Sequence, residues 1–144
     1  MKAILLAAGL AALAAPASAG TITDWIEANS NLRCVNEIQV EWVGQRRLRE
    51  RAPHATLGVL IDGVAYIRAD KQSDRRKRTP IVVHEQVHQC QKDSGLFVEN
   101  TLENCLEAET QAHGMDELWR TQHGLKFESV QAGFILKKCF AGVH

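Results

Sequence analysis

The chain has 144 residues, 45% hydrophobic and 24% charged, with 17 Lys and Arg against 17 Asp and Glu. That composition belongs to one ordinary globular domain and excludes a disordered or collagen-like polymer. A formal net charge of zero gives no basic footprint of the kind that neutralises many phosphates, so nucleic acid is not an expected partner.

Lys2 is followed by an apolar run from Ala3 to Ala15, then Pro16 and the small triplet Ala17-Ser18-Ala19. This is the pattern of a secretory signal peptide cleaved before Gly20. The run is too short and too Ala-rich for a spanning helix, which needs about 20 apolar residues. The expected division is a signal peptide over residues 1–19 and a single domain over residues 20–144. Loss of Lys2 leaves that domain one net negative charge. No later segment is apolar enough to cross a bilayer, so the mature chain is expected to be soluble and secreted or periplasmic.

Export bears on Cys34, Cys90, Cys105 and Cys139, because an oxidising compartment favours disulfides and four cysteines allow three pairings. Their gaps are too wide for a zinc ribbon. The expected bridges are Cys90 with Cys105, stapling two neighbouring helices, and Cys34 with Cys139, tying the two ends.

In chain order, Thr23-Asp24-Trp25-Ile26-Glu27-Ala28 starts with a capping residue and continues with helix formers, predicting a short helix before Cys34. Ile38, Val40 and Trp42 then alternate with Gln39, Glu41 and Val43, the repeat of a half-buried strand. The apolar runs Leu57 to Ile61 and Val64 to Ile67 flank Asp62-Gly63, which suits a tight hairpin turn, so a small antiparallel sheet is expected. Lys71 to Arg78 and the arginines Arg46, Arg47, Arg49 and Arg51 are taken as solvated charge rather than anion-binding patches. Thr79-Pro80 supplies a cap and a first-turn proline for a helix over Ile81 to Gln91, stopped by Asp93-Ser94-Gly95. Asn100 with Glu103 resembles a capping box opening a second helix to about Arg120, and Phe127 to Phe140 predicts a third. Sheet first and helices after is an α+β order.

The informative string is His84-Glu85-Gln86-Val87-His88, an H-E-x-x-H motif inside a predicted helix. Histidines four apart share one helical face, so both imidazoles can reach one metal ion while the intervening Glu85 acts on its water. Catalytic zinc wants a third protein ligand and an open fourth position. On the second helix, Leu102, Cys105, Leu106, Ala112 and Trp119 map to one buried stripe with Glu109 in its middle. A carboxylate there needs a cationic partner, since burying it alone is costly. Its rival Glu107 lies about 200° around the helix, on a polar strip with Glu103 and Gln111. His113 and Asp116 follow one and two turns beyond Glu109 and can orient a ligating imidazole.

His84-Glu85-x-x-His88 followed by Glu109-x-x-Ala112 on a second helix resembles the gluzincin zinc metallopeptidases, especially their minimal single-domain members. The resemblance covers roughly Leu57 to Trp119. It implies a zincin-like core in which His84, His88 and Glu109 bind Zn2+ and Glu85 is the catalytic base. Many members carry Asp or Asn four residues after the ligand Glu, where this chain has His113. The Gly and third His of metzincins are not present after the motif.

The expected activity is metal-assisted hydrolysis of a peptide or protein substrate, with Glu85 as general base. Tyr66, His113 and His123 are candidate oxyanion donors, although Tyr66 also suits a packed strand position. An extended peptide could add to the Leu57 to Arg68 hairpin. Two alternatives use the same residues: an inactive binding module stabilised by zinc and disulfides, and a hydrolase of peptide crosslinks in cell-wall material.

Overall fold

The computed structural model describes residues 21–126 and 132–142. The signal-peptide assignment to Met1 through Ala19 and the first residues of the third predicted helix, 127–131, lie outside them. The described chain is α+β, with a three-stranded mixed sheet, five α-helices and two disulfides.

Helix α1, Ile22–Asn29, is capped two residues ahead of the expected Thr23. Thr21 closes a capping box with Asp24, its side chain accepting from the Asp24 amide while the Asp24 carboxylate accepts from the Thr21 amide. Strand β1 spans Gln39–Val43 and is followed directly by α2, Gln45–Arg51. Sequence reading missed α2 because QRRLRER carries a single apolar residue, Leu48, which is fully buried. Strands β2, Gly58–Ile61, and β3, Val64–Arg68, form the expected antiparallel hairpin. Both turn residues have positive φ, 49° at Asp62 and 78° at Gly63, as a two-residue hairpin turn of matching twist requires.

The all-antiparallel expectation fails at β1, which pairs with β3 in parallel, giving the order β1-β3-β2. Parallel pairing needs a crossover longer than a tight turn, and the segment containing α2 provides it. The edge strand left on the hairpin side is β2.

Helix α3, Arg75–Asp93, starts well before the expected Thr79-Pro80 cap. Asp74 caps it through the Arg76 amide, and Pro80 sits inside the helix, buried. The supposed Lys71 to Arg78 loop is therefore mostly the end of a short 3-10 turn, Ala69–Lys71, and the first turn of α3. The predicted stop holds: the Ser94 amide bonds the Cys90 carbonyl and the Leu96 amide bonds that of Gln91. Helix α4, Leu102–Gln122, is capped by Thr101 rather than Asn100, and α5 spans Ala132–Gly142.

Helix α3 is the centre of the molecule. One side meets the sheet, where Ile81 joins Ala65 and Ile67. Another contributes Val83, Val87 and Cys90 to a core with Ile26, Leu32, Ala112 and Met115 from α1, the segment after it, and α4. Packed from several directions, α3 buries Gln86, whose Nε2 donates to the Asn36 carbonyl and whose Oε1 accepts from the Ile38 amide. Those bonds hang the approach to β1 on the helix.

The disulfides are Cys34–Cys90 and Cys105–Cys139, not the expected pairs. Cys90 faces the α1 side of α3 beside Leu32, which brings Cys34 to it. Cys105 is left to meet Cys139 on α5. Among the described residues, no helix is long and apolar enough to cross a membrane.

Candidate metal centre

Helices α3 and α4 pack against each other and bring His84, His88 and Glu109 face to face. His84 Nε2 lies 3.2 Å from His88 Nε2 and 3.5 Å from Glu109 Oε2, and His88 Nε2 lies 3.4 Å from Glu109 Oε1. Ligands bound tetrahedrally at zinc's usual 2.0–2.1 Å stand about 3.3 Å apart, so the three side chains have the spacing of one face of such a site. His84 and Glu109 are buried. Glu107 is exposed on the far side of α4.

The nitrogens behind each imidazole decide what the front ones can do. His88 Nδ1 is 2.8 Å from Gln91 Oε1, while Gln91 Nε2 donates to the Ala108 carbonyl and to Gln111 Oε1. The Ala108 carbonyl can only accept, which fixes the Gln91 amide orientation and makes His88 Nδ1 the donor. In the neutral ring His88 Nε2 then carries the lone pair, and it faces His84 and Glu109. Gln91 was missed from the sequence because a glutamine near a helix end has no signature; its place one turn after His88 was the available signal.

Asp116 Oδ2 stands 3.5 Å from His84 Nδ1 and 3.5 Å from His113 Nδ1, and its other oxygen accepts from Arg120 Nε. It thus faces the back of His84 from a position seven residues after Glu109, rather than from the four-residue position occupied by His113. Burial works against charging His84, but Asp116 and Glu109 outweigh it and push this imidazole up to about 9. For Glu109, burial again opposes ionisation, and His84, His88 and Lys138 hold the carboxyl well below its usual range. Burial also opposes ionisation of Asp116, while His113 and His84 bring it down to about 2.

His113 extends the cluster. Its Nε2 is 3.7 Å from Glu109 Oε2, its ring lies 4.4 Å from that of His84, and the ligand atoms of His84, Glu109 and His113 all fall within 4.8 Å of one another. Glu109 Oε2, His84 Nδ1 and both His113 nitrogens are buried without a hydrogen bond. A proton on His84 and the Lys138 ammonium offset this crowding, and the donor atoms left without a hydrogen bond are of the kind that fit a divalent metal.

Glu85 packs against β2 beside the cluster, near enough for its charge to raise His84. It is buried, and its Oε1 lies 2.9 Å from where a Cβ on Gly58 would be. Absence of a side chain at Gly58 lets the carboxylate rest against the edge strand.

Two oxyanion candidates lie away from the cluster. Tyr66 is on the opposite sheet face from α3, packed with Val43 and Leu48 beneath the Arg51 guanidinium, 4.0 Å from its ring centre. His123 stacks on Trp119 and directs Nδ1 at that residue's carbonyl. Sequence reasoning also missed Lys138, whose Nζ lies 2.7 Å from Glu109 Oε1. Comparison with protein families, curated proteins and solved structures finds no match to this chain.

Proposed function

We propose that this chain is an exported zinc-dependent metallopeptidase of the gluzincin type, with His84, His88 and Glu109 as ligands and Glu85 as general base. The observation that carries it is the convergence of His84 Nε2, His88 Nε2 and Glu109 at 3.2–3.5 Å from two separate helices. Two disulfides suit the oxidising compartment that export implies.

When bound, zinc supplies Lewis acidity and lowers the pKa of its water to about 7. The residues of the chain divide the remaining work. Gln91 holds His88 with Nε2 forward, and Asp116 backs His84, so both rings are already oriented toward the ion, and His84 gives up its proton as the metal enters. Glu85, held beside β2, takes the proton of the attacking water and passes it to the leaving amine. The edge strand β2 offers unpaired backbone groups to an extended peptide.

The test is metal content and peptide hydrolysis on protein purified without added metal. About one zinc per chain is expected, with hydrolysis abolished by chelation and by Glu85→Gln while the variant keeps its zinc. Undiminished cleavage by Glu85→Gln would remove the assigned base.

His113 favours a second reading, a closed zinc site that only stabilises a binding module. Its buried nitrogens lie close enough to Glu109 and His84 to supply a fourth ligand. In that case zinc has protein ligands only, and His113→Ala opens a coordination position to water.

A further inference from the structure

Helix α5 has eleven residues, fewer than a helix needs to hold itself in water, and Phe134, Leu136 and Phe140 face outward. Two adjacent residues fasten it to α4. Cys139 is fully buried and bonded to Cys105, and Lys138 reaches the Glu109 carboxylate. Cys105 lies one turn before Glu109 on α4, so the covalent bridge sets the register that puts the ammonium on this carboxylate.

The oxygen involved matters. Glu109 Oε1, 2.7 Å from Lys138 Nζ, is also the oxygen 3.4 Å from His88 Nε2. A metal ion gripped by His84, His88 and Glu109 and an ammonium at 2.7 Å would draw on the same carboxylate, and two cations that close repel strongly in a buried setting.

We propose that Lys138 is a tethered competitor for the metal: its ammonium neutralises Glu109 until a divalent cation displaces it, so that Lys138 sets the affinity of the centre and holds α5 down over it. The proposal rests on His84, His88 and Glu109 being a metal centre. Cation entry lifts Lys138 from Glu109, leaving α5 attached through Cys139 but without its polar anchor.

The experiment is a zinc titration of the full chain with both disulfides intact, in competition with a chromophoric chelator, comparing wild type with Lys138→Met. The variant is expected to hold zinc about tenfold tighter or more, the order of a lost charge-assisted contact. Equal or weaker binding by Lys138→Met, with wild-type binding intact, overturns the proposal. Hydrogen exchange along residues 132–142 of the unmutated chain gives a second readout that does not depend on the variant folding. Zinc is expected to speed that exchange, and unchanged or slower exchange overturns the proposal. Absence of any zinc uptake by the wild type is a distinguishable result, which removes the metal centre and the competitor together.

Discussion

Gln91 accepts a hydrogen bond from His88 at 2.8 Å while its amide nitrogen is fixed by the Ala108 carbonyl on the neighbouring helix. The tautomer of a proposed ligand on α3 is thus set by the backbone of α4, and the packing of two helices becomes part of the chemistry of the site.

Replacing Gln91 by Leu removes that control. Zinc affinity is expected to fall about 10–100-fold, the usual cost of losing the partner behind a ligating histidine. Gln91→Glu, which keeps an acceptor for Nδ1, is expected to lose less. Competition titrations of the two variants decide it.

Gly58 is expected to act through Glu85 alone. Gly58→Ala puts a Cβ 2.9 Å from Glu85 Oε1, and the end of that side chain must swing away. The cost in stability should be about 1 kcal/mol, that of an off-rotamer side chain, with metal content unchanged. Hydrolysis should fall sharply nevertheless. Full activity in Gly58→Ala would mean that the position of Glu85 against β2 is irrelevant to the reaction.

Zinc binding should be strongly pH-dependent. His84 is raised from 6.5 to about 9 by Asp116 and Glu109 against the opposing effect of burial, so a proton occupies this imidazole at neutral pH in protein stripped of metal. Zinc must expel it, and apparent affinity is expected to climb as pH rises toward 9. Calorimetry in buffers of different ionisation enthalpy should record proton release at pH 7.

Stability of the stripped protein should follow the opposite sign on the alkaline side. With its folded pKa raised, His84 contributes stability that is complete below pH 6.5 and lost as pH rises through about 9. Asp116, lowered from 3.8 to about 2, contributes stability present above pH 3.8 and lost as pH falls through 2. Melting temperatures of chelated protein should form a plateau between pH 3.8 and 6.5 and fall on either side, and Asp116→Asn should remove the acid-side decline assigned to it.

Asp93 is expected to matter for stability without touching the centre. Its carboxylate accepts from the Val35 and Asn36 amides, Asn36 Nδ2 and Gln89 Nε2. Burial opposes its ionisation, but these bonds together hold it below the usual carboxylate range. Asp93→Ala should cost about 1–2 kcal/mol in urea unfolding, partly offset by water reaching the freed amides, with zinc affinity unchanged.

What could be read from the sequence was what repeats locally or sits at a fixed spacing. The Asp62-Gly63 hairpin, the Gly95 stop of α3 and the Glu109 stripe of α4 each follow from turn chemistry or helical period. The H-E-x-x-H spacing placed two histidines on one face before any fold was known. Helix α2 and the early start of α3 were hidden for the converse reason: QRRLRER offers only Leu48 as an apolar residue and the first turn of α3 offers none, so neither shows an amphipathic pattern.

The sequence by itself determined the α+β order, the positions of the apolar stripes and the placing of His84 and His88 on one helical face, because these depend on neighbours within a turn or a strand. Tertiary structure alone decided that β1 runs parallel to β3, that Cys34 meets Cys90 and Cys105 meets Cys139, that the Ala108 carbonyl fixes Gln91, and that Lys138 reaches Glu109. Those relations join residues far apart in the chain, and the packing of α3 against its neighbours sets them, a property that no local spacing encodes.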